Sequence, residues 1–259
     1  MQIATRAQVA VWVTQSLAAL LAIATTSEAA GRKSADYCRS GGGIEIADTS
    51  SPVTDKFLKE LKIVGVETIA RYYDYPNETI EGKRLRSEEV PLLQKYDMSV
   101  LVVFQHNNNK ARTFIDWRSR GPSDAKEALR LAAAFKQAEH SAIYFGVDGD
   151  FVGRSSANYK FYSEEVRSYF EQINQVLQEQ GAKFKVGVYG SGATCRMLIE
   201  DKLASFCWLS HSHGFTGTRE AIKQKNFQIE QLLPATCGGR ELDLDDVPDG
   251  IKDYGQFQP

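Results

Sequence analysis

The sequence lacks most of the signatures that would place it at once. Its 259 residues carry 31 Lys and Arg against 33 Asp and Glu, a net charge of −2. The basic surplus with which a nucleic-acid binder neutralises phosphates is therefore missing, and clusters such as Lys83-Arg84 with Arg86 read as solvated faces. Of the four cysteines, Cys38, Cys195, Cys207 and Cys237, no two form a C-x-x-C pair, which argues against a structural zinc site. No G-x-G-x-x-G follows the first expected strand, which weakens a nucleotide-binding reading. Gly190-Ser191-Gly192 is not a G-x-S-x-G nucleophile elbow, because Tyr189 stands where the first glycine would. No repeat, low-complexity tract or Pro/Gly linker divides the chain, and only one apolar run invites comparison with a membrane span.

That run, residues 9–24, follows Arg6 and is interrupted by Thr14, Gln15 and Ser16, so it reads as the short h-region of a signal peptide. Ser27-Glu28-Ala29 supplies small residues at the two positions a signal peptidase reads. The expected organisation is a signal peptide over 1–29, a flexible mature N-terminus over 30–42, and one domain over 43–259. The alternative is an uncleaved anchor. A secreted or periplasmic protein follows, monomeric and with no membrane span after cleavage. An oxidising compartment favours one or two disulfides. Four cysteines allow three full pairings, and Cys195 and Cys207 as buried free thiols remain open.

Strand-like and helix-like runs alternate through the first two thirds. Strands are expected over 44–48, 67–73, 100–105, 142–148 and 185–189. Helices are expected over 54–62, 87–96, 123–137, within 159–180, and over 194–202. Ser87 and Ser123 read as N-caps, and Gly181 as a stop. Three further strands, 206–210, 227–231 and 241–245, follow with little helix between them. Five β/α units and then three strands imply an α/β fold, a single TIM-like barrel with helices outside.

In such barrels the working residues sit at the carboxyl ends of the strands. Those ends carry Asp48, then Arg71 and Tyr72, Gln105, Asp148 and Asp150, Tyr189, Trp208, Gln231, and finally Asp243 with Asp245. On the fourth strand, Tyr144, Gly146 and Asp148 alternate with Ile143, Phe145 and Val147. A glycine and a carboxylate thus point toward the barrel axis. An extended strand would bring Asp150 onto the same face, where two close carboxylates raise each other's pKa. One could then protonate a leaving oxygen while the other stays ionised, as glycoside hydrolysis requires. The competing reading is an Asp-Gly turn with Asp150 capping a helix. Asp48, Asp148, Asp150 and Asp243 could also hold Mg²⁺ or Ca²⁺, although no metal or other cofactor is expected. His211 and His213 read as loop histidines, and Trp208 as a sugar platform or a core residue.

These residues carry a resemblance. Ala47-Asp48-Thr49 with Pro52, Ala70-Arg71-Tyr72-Tyr73, the run from Ile143 to Asp150, the run from Val186 to Gly192, and Cys207-Trp208-Leu209-Ser210 resemble a glycoside-hydrolase-like domain family first catalogued as domain of unknown function 1906. That family looks like a relative of the family 25 glycoside hydrolases, N-acetylmuramidases with five β/α units followed by three strands. By position, the resemblance implies catalytic roles for Asp148, Asp150, Asp48 and Asp243. It matches Gln231 to the glutamine of the seventh strand, and the reading of the strand ends adds Arg71, Tyr72, Gln105, Tyr189 and Trp208 as candidate substrate-binding residues. The muramidases carry a glutamate as proton donor where this chain has the shorter Asp150; Glu45 is a second candidate if the register differs.

Three functions compete on this reading. The first is a glycoside hydrolase acting on peptidoglycan or another cell-wall or extracellular polysaccharide, with Asp150 as acid and Asp148 as base or stabiliser. The second is a glycan-binding barrel that has lost its donor. The third is a metal-dependent phosphodiesterase.

Overall fold

The computed structural model describes residues 44–154, 160–237 and 240–259; the expected signal peptide and flexible N-terminus lie outside the described residues. Eight strands close into one barrel in sequence order: β1 (Ile44–Asp48), β2 (Thr68–Tyr73), β3 (Ser99–Phe104), β4 (Ala142–Gly146), β5 (Lys185–Gly190), β6 (Phe206–Leu209), β7 (Ile229–Cys237) and β8 (Arg240–Asp246). Helices α1 (Asp55–Ile63), α2 (Val90–Lys95), α3 (Ala111–Ile115), α4 (Trp117–Ala134), α5 (Ser163–Glu179), α6 (Gly192–Glu200) and α7 (Thr218–Gln224) fill the crossovers. The expected barrel is present, with two differences. The short helix α7 follows β6 as well, and β8 runs antiparallel to both β7 and β1 where the other neighbours are parallel.

Strand alternation builds two cores. Ile46, Ala70, Leu101, Val103, Tyr144, Phe206 and Trp208 point inward and fill the barrel. Ala47, Ile69, Val102, Phe145, Val188 and Leu244 point outward, where Phe57 and Leu61 of α1 and Val166, Phe170 and Ile173 of α5 cover them. Cys207 is one of these outward residues, and it is joined to Cys195 on α6 by a disulfide, with Cα atoms 5.4 Å apart. Cys237 is disulfide-bonded as well.

The floor of the barrel is sealed by the C-terminal segment. Phe257 exchanges two backbone hydrogen bonds with Val100, and Ala142 N donates to Gly255 O. Tyr254 meets Thr68 Oγ1 through its hydroxyl at 2.8 Å and accepts from Tyr144 OH through its carbonyl at 2.7 Å. The bottom is thus closed, and access to the axis is from the carboxyl ends of the strands.

Gly187 on β5 is what admits the Tyr144 ring to the axis, since a Cβ there would lie 2.5 Å from Tyr144 Cδ1. Gly187→Ala should therefore cost about 1–3 kcal/mol, the usual range for overpacking a filled core. A urea midpoint equal to that of the parent protein would show that Tyr144 yields without cost.

Candidate active site

The inward parity that places Ile46 and Tyr144 in the core places Asp48, Tyr72, Gln105, Asp148, Tyr189, Gln231 and Asp243 one step further along, at the open end. With Val103 and Trp208 they line a cavity of about 270 Å³. A second cavity of about 300 Å³ adjoins it through Gln105 and Asp148 and extends past Thr79, Lys83 and Lys110. Gly146 makes room at the junction: a Cβ there would sit 3.3 Å from Gln105 Cγ.

Each carboxylate in the first cavity is held by one neutral donor. Tyr72 OH donates to Asp48 Oδ2 at 2.8 Å, Gln105 Nε2 to Asp148 Oδ2 at 3.1 Å, and Gln231 Nε2 to Asp243 Oδ2 at 3.2 Å. The amides are in turn oriented through their oxygens, Gln105 by Lys83 Nζ at 2.5 Å and Gln231 by Tyr189 OH at 2.9 Å. Each glutamine thereby presents its NH₂ group to a carboxylate.

Burial dominates the electrostatics. It pushes Asp48 up to about 7, with Asp243 adding to the effect while the Tyr72 hydrogen bond and Lys83 oppose it. Burial likewise raises Asp148, against Lys83 and Gln105, and raises Asp243, helped by the charge of Asp148 and opposed by His211. What lifts Asp148 is therefore desolvation rather than a neighbouring Asp150.

Three residues fall differently from expectation. Arg71 is fully enclosed on the outward face of β2. Its guanidinium is spent on Glu89 at 3.0 and 2.9 Å and on the carbonyls of Thr49, Gly82 and Arg84. Adjacent strand residues face opposite ways, so Arg71 and Tyr72 cannot both reach the axis. Asp150 does not line either cavity: β4 ends at Gly146, the chain bends at 149–150, and both Asp150 oxygens accept from Thr216, N and Oγ1, at 2.9 Å. Trp208 is 1% exposed, packed edge-to-face on Tyr144 and Tyr189. It is floor rather than stacking platform.

Lys83 holds a prominent place that the sequence reading does not give it, and Asp245, named with Asp243 on the last strand, lies deeper than a rim residue. Lys83, taken for a solvated charge, is 6% exposed, with its ammonium 4.0 Å over the Tyr72 ring. The signal was positional, because the loop after a barrel strand belongs to the working rim. Asp245, inward on β8 two residues after Asp243, is fully buried and accepts from Trp208 Nε1 at 2.7 Å. One oxygen each of Asp48 and Asp245 is buried with no hydrogen-bond partner among the described residues. The His211 and His213 ring centroids lie 4.5 Å apart with their planes tilted by 46°, and His211 Nδ1 meets the Gln231 carbonyl. Among the described residues, no three of His, Cys, Asp and Glu are grouped to hold a metal ion.

The buried carboxyls predict a pH dependence of stability. Asp48 and Asp245 are both raised, chiefly by burial and further by charges of neighbouring carboxylates. In the unfolded chain they ionise near pH 4. Between there and the folded-state values the folded protein binds more protons than the unfolded one, so these groups lower stability as pH rises through that window. Asp245→Asn should flatten this fall and raise the urea midpoint at pH 8 relative to the parent. An unchanged difference between pH 4 and pH 8 would refute it.

Comparison with known proteins follows the same geometry. The chain matches the Rv2525c-like, glycoside hydrolase-like domain over residues 59–238. The Tat-secreted protein Rv2525c of Mycobacterium tuberculosis, solved in complex with HEPES, aligns with a TM-score of 0.62 at 19% identity, covering 83% of this chain and 98% of that one. A B. stearothermophilus protein aligns with a TM-score of 0.58 at 14% identity, covering 83% of this chain and 100% of that one. By sequence, the Bacillus subtilis (strain 168) protein FadG is 25% identical over 194 residues, 74% of this chain and 32% of FadG. The chain thus spans about a third of that relative's length. The structural likenesses establish the barrel.

Proposed function

The chain belongs to the Rv2525c-like, glycoside hydrolase-like domain family, and from that premise we propose that it hydrolyses glycosidic bonds of a cell-wall or extracellular polysaccharide by carboxylate general acid/base catalysis. One observation carries this reading: Asp48, Asp148 and Asp243 line one cavity at the rim of the barrel opposite the C-terminal segment, and burial raises all three. A carboxyl raised by burial is suited to protonate a leaving glycosidic oxygen, and an ionised partner stabilises the oxocarbenium-like state. Asp148 is the proton donor on this reading. It borders both cavities, so a bond lying between two bound sugars would cross it. Asp243, held by Gln231, is the base or stabiliser, and Asp48 with Tyr72 holds the sugar from below.

A glycan-binding barrel without turnover is the second reading. The position that resembles the muramidase donor holds an aspartate whose two oxygens are already engaged by Thr216. Incubating the protein with peptidoglycan and a panel of polysaccharides, with and without chelator, separates the readings. New reducing ends that survive chelation support the hydrolase, binding without new ends supports the second reading, and ends that vanish with chelator support a metal-dependent reaction. The proposed setting is extracellular or periplasmic, supported by the N-terminal sequence over 1–29 and by the Tat-secreted relative. Among the described residues no helix is long and apolar enough to cross a membrane.

A further inference from the structure

The second cavity has a chemistry unlike the first. Its wall includes Lys83, which is almost completely buried yet, among the described residues, forms no ion pair. Among the described residues the Lys83 ammonium makes one hydrogen bond, to the neutral Gln105 Oε1, and no ion pair; Asp48, Asp74 and Asp148 act on it only from farther away. An ammonium has three donors; the Tyr72 ring faces it at 4.0 Å, but among the described residues no second acceptor atom takes a hydrogen bond from Lys83. Burying a cation without a paired anion is costly, and most buried lysines are paired. Here the unpaired side lines a cavity of about 300 Å³ whose other polar walls are Thr79, Asn107, Asn108, Asn109 and Lys110, with Gln105 and Asp148 at the junction with the first cavity. Ile80, 52% exposed, adds an apolar surface of the kind that suits the C–H face of a sugar ring.

We infer that this cavity is a subsite for a sugar bearing a carboxylate, and that the glycan taken by the cleft is acidic on the Lys83 side of Asp148. The inference rests on the glycan reading of the cleft and deepens it. Lys83 makes the charge-assisted hydrogen bond to the sugar carboxylate, the asparagine amides and Thr79 take its hydroxyls, and Lys110 at the mouth adds a second, exposed charge. A singly charged carboxylate matches the one buried ammonium. A doubly charged phosphate monoester would leave its second charge facing Asp148.

Binding of two small probes tests this without reference to turnover. Glucuronate and glucose differ only at C6, and each is titrated into the wild type, Lys83→Met and Lys83→Arg. The wild type should bind glucuronate roughly tenfold or more tighter than glucose, the scale of one charge-assisted hydrogen bond. Lys83→Met keeps the aliphatic stem and should erase that preference, while Lys83→Arg should keep most of it. Equal affinities in the wild type, no binding of glucuronate, or a preference that persists in Lys83→Met would each overturn the inference. A preference that depends on Lys83 in a protein that cleaves no glycan would uphold the subsite and reject the hydrolase reading. Cleavage of neutral glycans without any glucuronate preference would do the reverse.

Discussion

Asp148→Asn should slow hydrolysis by roughly 10²–10⁴, the usual scale for loss of a general acid, and leave glycan binding nearly intact. The substitution keeps the size of the side chain and can still meet Gln105, so the cleft should keep its shape. What it removes is the titrating proton at the one carboxyl that borders both cavities. The loss belongs in kcat rather than KM, because the proton moves only as the bond breaks. Asp150→Asn is the matched control. Its oxygens are bonded to Thr216 and lie outside the cavities, so it should change the rate by no more than a few-fold. Steady-state kinetics on the glycan identified in the reducing-end screen decide the matter. A silent Asp148→Asn beside an inactive Asp150→Asn would return the donor to position 150, requiring the loop to swing away from Thr216 when substrate binds.

Much of this site was legible in the sequence, because a barrel converts strand ends into a rim. Given the strands, period-two alternation assigns Asp48, Tyr72, Gln105, Asp148, Tyr189, Gln231 and Asp243 to the axis without further information. Failures came where that rule was not applied strictly or where the strand stopped. Arg71 neighbours Tyr72 and so had to face outward. Asp150 shares the parity of Asp148 only if β4 continues, and the Gly149 bend breaks it. Helix α4 was expected to begin at Ser123, after Pro122, yet it runs through Pro122 from Trp117. Tertiary packing overrides the proline there: Gly121 lies against Gln172 and the Tyr169 carbonyl of α5, too close for a side chain. The burial of Lys83 and the depth of Asp245 were hidden for a different reason. A lysine in a charged loop is normally solvated, and only the folded loop shows that it is buried. Asp245 shares the parity of Asp243, but its depth depends on the Trp208 indole that caps it.

Arg71→Met should cost about 3–5 kcal/mol of stability, the range seen when one partner of a buried ion pair is removed. The pair with Glu89 is essentially without solvent, with side chains 0% and 3% exposed. Losing the guanidinium leaves Glu89 charged and buried, with only the Val53 and Arg86 N–H groups as donors. It also strips the Thr49, Gly82 and Arg84 carbonyls of their shared donor. Those carbonyls explain why an outward-facing residue matters to an inward-facing site. Thr49 follows Asp48 directly and Gly82 precedes Lys83, so one guanidinium fastens the two loops next to Asp48 and Lys83. Arg71→Met/Glu89→Gln should recover a substantial part of the loss, because the second change removes the stranded charge. Urea unfolding of the three proteins measures both effects. A loss below about 1 kcal/mol in Arg71→Met would place the pair with surface ion pairs in strength and leave the loops anchored by other contacts. Recovery of stability in the double variant without recovery of glycan binding would show that the guanidinium acts through the loop carbonyls, since only that role survives neutralising Glu89.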